Sequence, residues 1–157
     1  MVANLRDGSS QYSLLECVNY TETAMGNRMI RSWLLFPLTD SAKIRARQDH
    51  VALFTENRTL LESVRSRLEP VLDIERLAGR IAMDKAHPKD LQALRASLES
   101  WLTVRDQLSQ YDFSSLSLDN AEKIIGIIKN AIEDDPPTNI TDGGIIRKGW
   151  CWTSFCS

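Results

Sequence analysis

Beyond His87-Pro88-Lys89-Asp90, the leucines Leu91, Leu94, Leu98 and Leu102, with Leu108 further on, recur at three-to-four-residue spacing with no glycine or proline between them. At 3.6 residues per turn this places them along one side of an α-helix, and it does not fit the two-residue period of a strand. Pro88 suits the first turn of that helix, where its missing N–H has no intrahelical partner. A leucine stripe on one helix needs other apolar faces to cover it, so the rest of the chain must supply them.

It supplies them as further helices. Ser13-Leu14-Leu15-Glu16 reads as a reciprocal capping pair that starts a helix with Leu14, Leu15, Val18, Met25 and Met29 on a buried stripe, broken near Thr21-Glu22-Thr23. A fresh helix from about Thr23 runs to Leu35, with Arg28 and Arg31 on one side, and Pro37 stops it. Another starts near Thr39 or Asp40 and runs from Ser41 to Phe54, with Ile44, Val51 and Phe54 on one side and Gln48 where a leucine fits better. Asn57 caps a helix with Leu60, Leu61, Val64 and Leu68 apolar; Asp73 and Glu75 start a short one through Ile81; Asp119-Asn120-Ala121-Glu122 caps one in which Ile124, Ile125, Ile128 and Ile132 are buried. Glu133-Asp134-Asp135-Pro136-Pro137 ends that helix, Asp142-Gly143-Gly144 is a turn, and Ile145-Ile146-Arg147-Lys148 forms a short extended or strand segment. The predicted class is an all-α helical bundle: a loop over 1–12, a helical domain over 13–150 and an atypical tail over 151–157.

Composition narrows what such a bundle does. With 19 basic and 21 acidic residues the net charge is −2, which gives no whole-chain argument for nucleic acid. Locally, Arg28, Arg31, Lys43, Arg45, Arg47, Arg58, Arg65 and Arg67 outweigh Asp40, Asp49, Glu56 and Glu62, whereas 112–142 is acidic with only Lys123 and Lys129 in opposition. No apolar run reaches the 18 residues of a membrane span, and the first residues carry no signal core. Three cysteines, an odd number in a chain of this size, favour a reducing compartment, and Cys151 and Cys156 offer zinc two ligands at best.

No catalytic constellation emerges. His50 beside Asp49 lies within a helix and His87 in a connection; together they make neither an HExxH site nor a carboxylate-bridged metal centre. Asp134-Asp135 reads as a helix stop with solvated charge, because adjacent residues do not share a helix face and no third acidic ligand follows at useful spacing. Gly143-Gly144 is no phosphate loop, since GxxxxGK(S/T) is absent. Trp33 and Trp101 read as large core or inter-helix contacts, and Trp150 and Trp152 near the end as sticky surface. On these grounds the chain has no catalytic, metal, cofactor or assigned DNA-binding residues and is not an enzyme.

Several segments taken in order resemble one family. Ser13-Leu14-Leu15, then the stretch 21–38 from Thr21 through Gly26, Arg28, Arg31 and Trp33 to Pro37-Leu38, is similar to the opening of the core, or lever, domain (domain III) of MutS mismatch-recognition proteins. The likeness continues through Ile44 to Val51, Asp73 to Ile81, Pro88-Lys89-Asp90-Leu91, Asp134-Asp135-Pro136-Pro137 and Asp142 to Trp150. Val18-Asn19 and Gln48 depart from the family pattern, and beyond Trp150 the likeness stops.

The resemblance implies that Gly26, Arg28, Arg31, Trp33, Pro37, Asp73, Arg76, Arg80, Asp142, Gly143 and Gly144 hold motif positions as architecture. It further implies a structural lever in a larger, bacterial, cytoplasmic and nucleoid-associated parent that recognises mismatched or unpaired bases in double-stranded DNA. That parent would dimerise with a second MutS-like subunit, use ATP and Mg, meet a MutL-like repair partner and have no membrane role. The mismatch-reading, clamp and ATPase segments would lie outside this chain. The competing expectation is a generic helical protein–protein interaction domain with no DNA role.

Overall fold

A computed structural model describes residues 1–4, 8–9, 11–111, 113, 118, 120–137, 141 and 143–151. Among them are seven α-helices, α1 (Leu14–Val18), α2 (Ala24–Leu35), α3 (Ser41–Glu56), α4 (Arg58–Leu68), α5 (Ile74–Ala82), α6 (Pro88–Leu108) and α7 (Ala121–Ala131), so the all-α expectation holds. The chain divides into two compact units, Met1–Glu69 and Pro70–Ser157. The tail segment 152–157, Asp119 and Asp142 lie outside the described residues.

In the first unit, local hydrogen bonds set the helix ends. Ser13 Oγ accepts the Glu16 N–H at 3.3 Å and so caps α1 as expected, and the Glu16 carboxylate accepts the Tyr12 N–H. Asn19 Oδ1 takes both the N–H and the hydroxyl of Thr21, a local turn that competes with helix and ends α1 after Val18. Thr23 Oγ1 then receives the Gly26 N–H at 3.0 Å and starts α2, which ends before Pro37 as expected. Asp40 caps α3 through the N–H groups of Ala42 and Lys43. Asn57 does not cap α4: its amide donates back to the Leu53 carbonyl and closes α3.

The expected apolar stripe is only partly covered. Leu15 is buried and Met25 half-buried, whereas Leu14, Val18 and Met29 are exposed. Neither α2 nor α3 contains a buried residue, and Val51 is 61% exposed although its spacing matches Ile44 and Phe54. Periodicity defines which side of a helix is apolar; covering it requires a facing element. Val64 on α4 is buried, and Arg65 ties α4 to the α1–α2 connection by donating to the Tyr20 carbonyl at 2.8 Å and pairing with Glu22.

The second unit has the better-filled core. Leu77 from α5, Leu94 and Leu98 from α6, and Ala121 and Ile128 from α7 form a buried cluster, flanked by half-buried Ile74, Ile81, Leu91, Leu102, Ile125 and Ile132. The leucine stripe of α6 therefore lies where its spacing predicts. Ser97, 1% exposed, donates its hydroxyl to the Ala93 carbonyl and accepts the Leu72 N–H at 3.0 Å, which satisfies a buried polar group and anchors the strand-like approach to α5. Two expectations for α7 are corrected. Asn120 stands at its start in a left-handed conformation (φ 69°) and makes no side-chain cap bond, and Ile124 is exposed because it lies on the flank of the face that carries Ala121, Ile125 and Ile128.

Beyond α7 the extended segment reduces to one antiparallel bridge, Ile132 with Ile146, made by Glu133 N–H to the Ile145 carbonyl and Arg147 N–H to the Ala131 carbonyl, both 2.9 Å. Pro136 and Pro137, which have no N–H to donate, and Gly143 and Gly144 at φ near +70° turn the backbone between these partners. No helix among the described residues is long and apolar enough to cross a membrane.

Candidate functional site

Three constructions in the chain go beyond core packing. The first joins α5 to α6. Asp90, in the first turn of α6, accepts the His87 N–H at 2.7 Å and pairs with Arg80 Nη2 at 2.9 Å on the same oxygen, while Arg80 also reaches the Lys85 carbonyl. The motif positions Arg80 and Asp90, ten residues apart in sequence, are thus one joint. His87 serves as the helix-start residue, which is an architectural role.

The second gathers four side chains around the exit from α7. Arg95 Nη1 donates to Asp134 Oδ1 at 3.0 Å, Arg147 Nη2 pairs with Asp134 Oδ2 at 2.7 Å, and Gln92 Nε2 donates to the carbonyls of Ile132 and Glu133. Arg147 Nε reaches the same Ile132 carbonyl at 3.1 Å. Asp134 is therefore more than a solvated helix stop: it remains 67% exposed, yet each carboxylate oxygen has its own guanidinium. Hydrogen bonds from Arg147 and then Arg95 hold its carboxyl below the usual carboxylate range. Asp135, its neighbour, is exposed, and no group of three or more His, Cys, Asp or Glu side chains able to hold a metal gathers among the described residues.

The third is an open groove of about 270 Å³ in the first unit, lined by Trp33, Pro37, Leu38, Ile44, Arg47, Gln48 and Val51. The Arg47 guanidinium lies 3.5 Å from the Trp33 ring centre, a cation–π contact that holds both side chains at the rim. Phe36 beside it is 76% exposed. Trp33 is consequently a groove wall and not a core contact, while Gln48 puts a polar group on the same wall where a leucine was the expected residue.

The remaining motif positions are structural. A Cβ on Gly26 would stand 3.1 Å from Thr23 Oγ1 and 3.2 Å from Thr21 Cβ, so the glycine makes room for the cap of its own helix. Asp73 Oδ1 accepts the Arg76 N–H at 3.2 Å. Arg28 and Arg31 are exposed on α2, as is Pro37 after it. Gly143 and Gly144, at φ near +70°, lead to the Ile146 bridge. Of the eight cations between Arg28 and Arg67, Arg47 and Arg65 are committed to Trp33 and Glu22. Sequence reading missed the Arg47–Trp33 contact and the Asp134 cluster because both join residues from separate elements, and no local spacing announces them.

Helix caps, ion-paired joints and an open groove on an all-α frame are what the described residues present. The chain belongs to the family described as MutS domain III, which matches residues 1–148. It is similar to the DNA mismatch repair protein MutS of Treponema denticola, with 40% identity over 155 residues covering 96% of this chain and 17% of that protein. It is likewise similar to MutS of Thermosynechococcus vestitus, 39% identical over 95% of this chain and 18% of that protein, and of Methanosarcina barkeri, 36% identical over 96% and 18%. The chain thus spans less than a fifth of the length of these relatives.

Proposed function

We propose that the chain is the lever and coupling module of a DNA mismatch repair protein, relaying between DNA engagement and a nucleotide cycle located elsewhere in the polypeptide. The observation that supports this most is α6: its 21 residues span about 32 Å at 1.5 Å per residue, fixed at the start by the Arg80–Asp90–His87 joint and flanked by α5 and α7. A relay needs an element that moves as a unit, and a helix packed against two others over a filled core bends little. On this reading the mismatched duplex, the second subunit, ATP with Mg and a MutL-like partner all engage other parts of the parent, and this chain performs no chemistry. The alternative, a helical interaction domain without a DNA role, draws on the open Trp33–Arg47 groove.

A chimera separates the two. Residues 1–148 replace the matching segment of the Treponema denticola protein, and nucleotide turnover is measured with paired and mismatched duplexes. The coupling role predicts a chimera that responds to the mismatch and loses that response, with duplex affinity kept, when Asp90→Ala undoes the α5–α6 joint. A response indifferent to this substitution would refute the coupling role.

A further inference from the structure

We infer that Asp134 is a positioning residue that sets the heading of the backbone at Trp150, by fastening the returning segment 145–147 to α6. The inference deepens the lever reading and rests on it for its consequence.

The backbone alone holds this segment weakly. Among the described residues two backbone hydrogen bonds, Glu133 N–H to the Ile145 carbonyl and Arg147 N–H to the Ala131 carbonyl, join the outgoing and returning segments, and a bridge of that size is marginal in water. The side chains supply the rest. One Asp134 oxygen is held by Arg95 on α6 and the other by Arg147 on the returning segment, so a single carboxylate joins two elements that make no other polar link to each other among the bonds described. Gln92, one turn earlier on α6, holds the Ile132 and Glu133 carbonyls, and Arg147 closes the ring on Ile132. Arg147 is also the first residue of the turn in which the Trp150 N–H returns to its carbonyl at 3.1 Å, with Gly149 at φ 88° supplying the left-handed bend. The heading of the backbone at Trp150 thus follows from Arg147, that of Arg147 from Asp134, and that of Asp134 from α6. Without the carboxylate, the ion pair left to Arg95 is that with Glu99, at 3.8 Å, and two guanidinium groups lose the counter-charge they shared.

The test uses the whole 157-residue chain, with Asp134→Asn against Asp134→Glu, and reads amide hydrogen exchange residue by residue. Asp134→Asn lowers protection of the Glu133 and Arg147 amides by about tenfold, while those of Leu98 and Ile128 keep theirs; Asp134→Glu, which preserves the charge, restores most of it. In a second measurement, spin labels at Ala96→Cys and Lys148→Cys, with the native cysteines replaced by serine, give a narrow distance distribution that Asp134→Asn broadens. Unchanged exchange at Glu133 and Arg147, an equal loss at Leu98 and Ile128, or an unbroadened distribution would each overturn the inference. Neither readout involves DNA or nucleotide. A fastened segment in an unresponsive chimera removes the lever reading alone, and a loose one in a responsive chimera removes this inference alone.

Discussion

Replacing Leu98 with alanine tests the core of the second unit at its centre. Leu98 is 4% exposed and sits among Leu77, Leu94, Ala121 and Ile128, three helices converging on one side chain. The substitution removes three carbons, which at about 0.8 kcal/mol per buried methylene is about 2.4 kcal/mol of lost transfer free energy. Because helices already packed on three sides relax only partly, a residual cavity of about 50 Å³ adds about 1.2 kcal/mol. The expected loss is therefore about 3.5 kcal/mol, within the usual range of about 2–5 kcal/mol for such changes. With a urea dependence of about 1.5 kcal/mol per molar, the unfolding midpoint falls by about 2 M. The assay is a urea titration of a chain that retains only Trp101, which lies on α6, so that fluorescence reports this unit. Ile124→Ala is the control: on the flank of α7 and partly in solvent, it costs less than about 1 kcal/mol. Equal losses at the two positions, or a loss below about 1 kcal/mol at Leu98, would refute the assignment of the buried face.

Two further outcomes follow from the geometry. Gly26→Ala, which in an open helix position gains up to about 1 kcal/mol, is neutral or destabilising here because the new Cβ crowds Thr23 Oγ1 and Thr21; a gain of that size in thermal or urea unfolding contradicts the crowding. Asp134 has a depressed carboxyl in the folded chain, so its contribution is complete above the unfolded value of about 3.9 and fades as the pH drops through the lower folded value. The stability difference between the native chain and Asp134→Asn is accordingly constant from neutral pH down to about pH 5 and shrinks in more acid solution, and a difference that instead grows on acidification reverses the sign of the argument.

Where the fold was legible in the sequence, the signal was local. Thr23, Asp40 and Asp73 cap the helices they were expected to start, Pro37 ends α2, and the leucines of α6 face the core because each signal acts within one turn of its own residue. Two asparagines departed from expectation for an equally local reason: Asn57 donates its amide backwards to Leu53, and Asn120 adopts a left-handed backbone, both alternatives open to a short amide side chain. What the sequence did not disclose is which apolar faces find cover. Ile44, Val51 and Phe54 mark one side of α3, yet no residue of α3 is buried. The Asp134 cluster was illegible for a related reason, since Arg95 lies 39 residues before its carboxylate and nothing in a charge pattern specifies a pairing at that range. The family motifs were legible as a set, and the structure gives several of them a reason: Gly26 clears the cap of α2, Arg80 meets Asp90, and Asp73 starts α5.

On the proposed reading this chain transmits and does not itself read a mismatch. Base reading requires contacts to base edges or a deformation of the duplex, and no described feature of the chain provides either. The direct measurement is a titration of the 157-residue chain with a mismatched and a fully paired duplex of the same length at physiological salt. Weak binding that is equal for the two duplexes and declines steeply with added salt is the predicted result, because the attraction comes from the basic Arg28 to Arg67 region for phosphate. A preference for the mismatched duplex greater than about tenfold, roughly 1.4 kcal/mol, would contradict the account.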